Sequence, residues 1–205
     1  MSNNKTLEYY NSHAHVQMEG ERKLYQKITD IYASRSADYE IDSELTKEFF
    51  ATAQNKLHYA ITGETTAEIV KHRANTADVN MGLQIWKRAP EGRIRKQNVS
   101  VAKNYLYKDE LELLNRIVTM YLDYAELQSI EHRVMYMSDW IERLNEFLKF
   151  NRKDILENKG MVTAEVAKIF AECEYEKYSK IADKSAVSDF DKFLEQEHET
   201  TTEWK

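Results

Sequence analysis

The stretch Lys108–Arg133, KDELELLNRIVTMYLDYAELQSIEHR, decides the fold class. Leu111, Leu114, Ile117, Val118, Tyr121, Leu122 and Ala125 recur at spacings of three and four, which places them on one side of an α-helix. A strand would alternate every second residue, and this segment does not. A helix with such a broad apolar face needs partners, so its neighbours are read next.

They repeat the pattern. Asp42 or Ser43 can cap a helix whose apolar stripe is Phe50, Ala53, Leu57 and Ala60, and Gly63 stands where a helix commonly ends. Thr65-Thr66-Ala67-Glu68 has the capping-box spacing and predicts a short helix to about Ala74. Ser138 is the expected cap of a helix carrying Trp140, Ile141, Leu144, Phe147 and Leu148. Thr163 is the expected cap of another, with Val166, Ile169, Phe170 and Tyr178 as its apolar stripe. Upstream, Lys5–Ala33 reads as helical, with Leu24, Ile28, Ile31 and Tyr32 on one stripe, and Ser34–Ile41 as a loop. A final short helix is expected over Ser188–Glu197.

Composition agrees. Only one proline and five glycines occur in 205 residues, too few turn formers for a loop-rich or all-β chain. Three of those six breakers, Gly82, Pro90 and Gly92, fall within residues 75–98, the irregular part of the chain. A short β-ribbon across Leu83–Trp86 and Arg93–Arg95 is compatible with it. The expectation is an all-α bundle of about seven or eight helices with one irregular basic loop at 75–98. Its divisions are an N-terminal extension (1–20), a helical domain (21–184) and a short helix with an acidic tail (185–205).

Several function classes fall away. A single cysteine, Cys173, excludes a disulfide scaffold within the chain, and its helical position predicts a buried thiol acting as a small apolar side chain. No apolar run approaches the ~18 residues of a membrane span, and no secretion signal opens the chain, so a cytoplasmic location with no membrane contact is expected. There is no Walker loop, dinucleotide turn or Gly-x-Ser-x-Gly elbow. His13-x-His15 and Glu195-Gln-Glu-His198 do not supply a metal set, since a bundle di-metal site needs two Glu-x-x-His motifs on facing helices. Neither a metal nor a cofactor is expected.

Three groups of residues carry chemistry. Trp86, Lys87, Arg88, Arg93, Arg95, Lys96 and Lys103 form a local basic cluster in a chain of net charge −6. Such a cluster holds phosphates while an adjacent ring stacks on a base, or it is a solvated loop pairing with acidic helices. Lys71-His72-Arg73 ends the short helix, where the dipole alone favours cations, and Arg73 is a catalytic candidate if folding brings it to the basic loop. A histidine can serve as a general base near neutral pH, which makes His58 the second catalytic candidate. Together with Gly63 it matches two positions of the Fic nucleotide-transferase motif, but Tyr59, Glu64 and Thr66 replace the motif's proline, asparagine and phosphate-binding arginine.

Glu21–Ala33 (ERKLYQKITDIYA), Glu48–Gly63 (EFFATAQNKLHYAITG), Asn80–Lys87 (NMGLQIWK), Val99–Leu106, Leu114–Glu126 (LNRIVTMYLDYAE) and Asp139–Glu142 together resemble the RhuM virulence-protein family over about residues 21–178. The resemblance implies a bacterial protein of mobile elements, often joined in longer relatives to a region resembling a DNA-binding helix-turn-helix, and in some architectures to Fic domains. The resemblance further implies that this sequence starts past the DNA-reading half, and the family supplies no catalytic residues to carry over. Three readings follow. The first is a helical module for self-association or partner binding. The second is a DNA- or RNA-acting toxin or defence nuclease using the basic loop with His58, Arg73, Arg95 and Lys96. The third is a degenerate Fic-like nucleotide-binding domain.

Overall fold

In the computed structural model, the described residues are 30, 38, 40, 43–90, 92–131 and 134–185. They hold five α-helices: α1 (Glu44–Thr62), α2 (Thr66–Arg73), α3 (Lys108–Ile130), α4 (Met137–Phe150) and α5 (Ala164–Ser185). Three short 3₁₀ turns, Val79–Gly82, Lys96–Asn98 and Ala102–Tyr105, lie between α2 and α3. The all-α expectation holds. The count of seven or eight helices is too high for the described residues, which hold five. The helices expected within Lys5–Ala33 and Ser188–Glu197 lie outside the described residues, apart from the helical Asp30.

The boundaries follow local chemistry. The Ser43 hydroxyl accepts from the Thr46 amide at 3.2 Å and caps α1. Gly63 closes that helix in the left-handed region, φ 76°. Thr65 and Glu68 form the expected capping box, with the Thr65 amide donating to Glu68 Oε2 at 2.8 Å and the Glu68 amide to Thr65 Oγ1 at 3.3 Å. Helix α4 begins two residues earlier than expected, with Tyr136 at its cap. Met137 is already helical and its amide donates to Asp38 Oδ1 at 3.1 Å, so Ser138 sits inside the helix rather than at its cap. Thr163 Oγ1 accepts from the Val166 amide at the head of α5, as expected.

Helix α1 packs against α3 and α4, while α2 packs against α5 and the Ala102–Tyr105 turn. One apolar core runs through both groups, including Leu57, Ile69, Leu114, Tyr121, Trp140, Leu144 and Leu148. No residue among those described forms a strand. The Leu83–Trp86 segment instead meets the Ala102–Tyr105 turn, with the Gln84 and Ile85 amides both donating to Asn104 O at 2.7 and 3.2 Å. Gly82 is required where it stands: at φ +80° an added Cβ would lie 2.2 Å from the Arg73 carbonyl oxygen.

The face α5 buries matches half of the expected stripe. Phe170 and Tyr178 pack against the core beside the buried Ala167 and Ala171, while Val166, Ile169 and Cys173 are exposed. Cys173 is therefore on the outside, contrary to the buried thiol expected.

Candidate nucleic-acid and partner-binding sites

The residues singled out in the sequence fall in separate places. His58 lies on α1 at 3% exposure, and its Nδ1 is 2.9 Å from the Gln54 carbonyl one turn back. Burial removes it from contact with a nucleotide in solution and leaves the Fic-like reading without an accessible histidine.

Arg73 serves as a structural clamp. Its guanidinium donates to both Glu110 oxygens, at 2.6 and 2.8 Å, and to the Tyr105 carbonyl at 3.0 Å. Glu64 lies 3.5 Å away, and the Tyr107 ring centroid is 5.1 Å from the guanidinium carbon. A second Glu110 role sits on the same carboxylate, which accepts from the Tyr107 amide at 2.8 Å and so caps the head of α3. Burial alone would raise the Glu110 carboxyl, but the Arg73 hydrogen bonds, the Tyr107 amide and the Arg73 charge outweigh it and hold it below its ordinary value. The matching Glu110 hydrogen bonds raise Arg73. These bonds tie the end of α2 to the start of α3, and engage the cation that a phosphate-binding role would need.

The basic loop divides into engaged and outward-facing residues. Trp86 is 6% exposed and its indole N–H donates to the Gly92 carbonyl, so the ring is packed under the loop and does not stand out for stacking on a base, as the sequence had suggested. Lys96 reaches α5, with its ammonium 3.2 Å from Glu172 and 3.6 Å from Glu176; the Glu172 hydrogen bond and charge raise it. Lys87, Arg88, Arg93 and Arg95 are exposed, and Lys103 is half-buried. The loop is pinned to α5 a second time by the Tyr175 hydroxyl, which donates to the Ile94 carbonyl at 3.4 Å.

Further back, the Thr76 amide and hydroxyl both donate to Glu174 Oε2, at 2.9 and 2.6 Å. With Lys177, these bonds hold the Glu174 carboxyl down to about 2. Neither the Arg73–Glu110 pair nor the Thr76–Glu174 clamp had a signal in the sequence, since their members are separated by 37 and 98 residues.

Two surface hollows stand out. One, of about 90 Å³, lies between the basic loop and α5. The other, of about 410 Å³, lies at the head of α4 beside Val134, Met135 and Asp139. Neither takes in His58 or Arg73, so the catalytic candidates and the basic loop do not converge on one of them. Among the described residues no group of three or more His, Cys, Asp or Glu side chains is placed to hold a metal, and no helix is long and apolar enough to cross a membrane.

Compared with known proteins, the chain matches the family model described as "Virulence protein RhuM family" over residues 13–187. No curated protein and no solved structure matches it.

Proposed function

The chain belongs to the RhuM virulence-protein family, and we propose that its domain works as a helical interaction module that associates with a second copy of itself through the outward face of α5. The observation that carries this reading is a row of exposed apolar side chains on α5. The apolar stripe Val166, Ile169, Cys173 has the spacing of a packing surface, yet Val166 is 49% and Ile169 54% exposed. Scattered exposed apolar residues are ordinary, but a contiguous row on one helix face marks a contact surface.

The charges beside the row favour a like partner. Glu165 and Lys168 precede its centre, and Glu176 and Lys180 follow it. Charges of both signs thus flank the row, so two copies that meet through it do not set a field of one sign against itself, as a self-complementary two-fold interface requires. Sedimentation equilibrium of the protein and of Ile169→Glu tests this. A dimer at micromolar concentration that Ile169→Glu converts to monomer, with helical content unchanged, supports the reading. A monomeric parent protein ends it.

A second reading, nucleic-acid binding by the basic loop, is supported by the outward placement of Lys87, Arg88 and Arg95 on a loop anchored twice to α5. Binding to DNA or RNA should then weaken steeply with salt, each neutralised phosphate adding about 0.7–0.9 to the slope. Undetectable or salt-independent binding removes it.

A further inference from the structure

We propose that the hollow at the head of α4 is the seat of a basic amphipathic helix, and that its occupant is the chain's own segment 22–32. The inference is independent of self-association through α5 and gives the domain a second contact surface.

The seat joins apolar surface to negative charge. It measures about 410 Å³, well above the ~150 Å³ that holds a benzene, so it admits branched aliphatic side chains. Val134 and Met135 form an apolar wall, and Gln128, Asp139 and Glu142 line the rest with Arg143, which is engaged with Glu146 at 2.7 Å. Val134 is 72% exposed, and Leu127 and Ile130, 50% and 67% exposed, share the end of α3 with Gln128. Large apolar side chains gathered on one stretch of surface mark a contact site. Between residues 123 and 142 the chain carries Asp123, Glu126, Glu131, Asp139 and Glu142 against Arg133 and His132, so the field there is negative.

Segment 22–32, RKLYQKITDIY, has the complementary make-up. Leu24, Ile28 and Ile31 recur at spacings of four and three, and Arg22, Lys23 and Lys27 outnumber Asp30. A helix this short is marginal in water by itself, so its stripe needs a surface to pack on. Of the segment, Asp30 is described; it is helical and exposed, and at 100° per residue it falls on the side away from the stripe. The chain leads to the seat. The Asp38 carboxylate accepts from the Met137 amide at 3.1 Å, two residues before Asp139 in the wall of the hollow. Asp38 follows Tyr32 by six positions, a reach of up to about 20 Å, so the segment can lie across the end of α3 while Asp38 stays in place. The family match begins at residue 13 and so takes in the segment.

Amide hydrogen exchange of the full chain, read by mass spectrometry over peptides spanning 22–32, tests the proposal. Three variants accompany the parent protein. Ile28→Asp breaks the stripe of the segment, and Val134→Asp charges the wall of the seat. Val79→Asp places the same charge on an exposed valine outside the seat. Val134 and Val79 are 72% and 84% exposed, so neither change enters the core, and circular dichroism checks that each variant folds. Repeating the exchange from nanomolar to tens of micromolar protein separates the same chain's segment from that of another copy.

Exchange across 22–32 is expected to be at least about ten-fold slower in the parent protein than in Ile28→Asp or Val134→Asp. Val79→Asp should match the parent, and the protection should not change with concentration. Absence of protection in the parent, protection that survives Val134→Asp, or equal loss in Val79→Asp overturns the seat. Protection that fades on dilution overturns the same-chain occupant and assigns the seat to the segment of a second copy. A monomer that keeps the protection supports this inference while ending self-association through α5.

Discussion

Replacing Glu110 by alanine should unfold this domain more readily than its place at the surface end of a helix suggests. The side chains of Arg73 and Glu110 are only 17% and 18% exposed. The substitution removes both acceptors of a bidentate pair, at 2.6 and 2.8 Å, and the acceptor of the Tyr107 amide. Breaking one partner of a buried pair costs about 3–5 kcal/mol, because the other charge is left in place. Arg73 keeps the Tyr105 carbonyl and, 3.5 Å away, Glu64, so its charge is not abandoned completely. Loss of the cap at the head of α3 adds about 1 kcal/mol. A net loss of about 3 kcal/mol is expected, read from urea denaturation by circular dichroism at an unchanged m-value. In a double-mutant cycle with Arg73→Met, the coupling energy should exceed about 1.5 kcal/mol. A loss below about 1 kcal/mol, or additive single and double mutants, would show that the pair is a surface contact with little energy in it.

Other substitutions probe separate parts of the fold. Gly82→Ala places a Cβ 2.2 Å from the Arg73 carbonyl at φ +80°, and should lower stability by about 2–3 kcal/mol in the same urea assay. Leu148→Ala empties a site that is fully buried in the core and should cost about 2–5 kcal/mol, measured as a shift of the denaturation midpoint. Acid should weaken the fold in a defined window. Glu174 has a folded value of about 2 against an ordinary 4.5, so its contribution is complete above about 4.5 and fades as the pH falls through the folded value. Thermal denaturation from pH 5 downward should therefore show a shallower acid slope for Glu174→Gln than for the parent protein.

The helices were legible because their signals are local. The three-and-four spacing of Leu114, Ile117, Val118, Tyr121 and Leu122, the Thr65–Glu68 box and the Gly63 stop act within a few residues and appear where they were expected. Which face a helix buries is a tertiary matter. On α5, residues 166 and 169 looked like core, but Ala167, Phe170, Ala171 and Tyr178 face inward and leave Val166 and Ile169 exposed. The basic loop was recognisable by charge, whereas the burial of Trp86 depends on the Gly92 carbonyl and on α5, which no local pattern encodes. Arg73 looked like a cation at a helix end. Its partner, Glu110, arrives from the next long helix, and only folding brings the two together.

The outward face of α5 can be read directly through Cys173, the single cysteine of the chain, which sits in the exposed row. Its alkylation rate, followed by mass spectrometry as protein concentration rises from nanomolar to tens of micromolar, reports whether that face becomes covered. Self-association through α5 predicts that the thiol is progressively protected, and that Ile169→Glu abolishes the protection. A rate independent of concentration in the parent protein would contradict it.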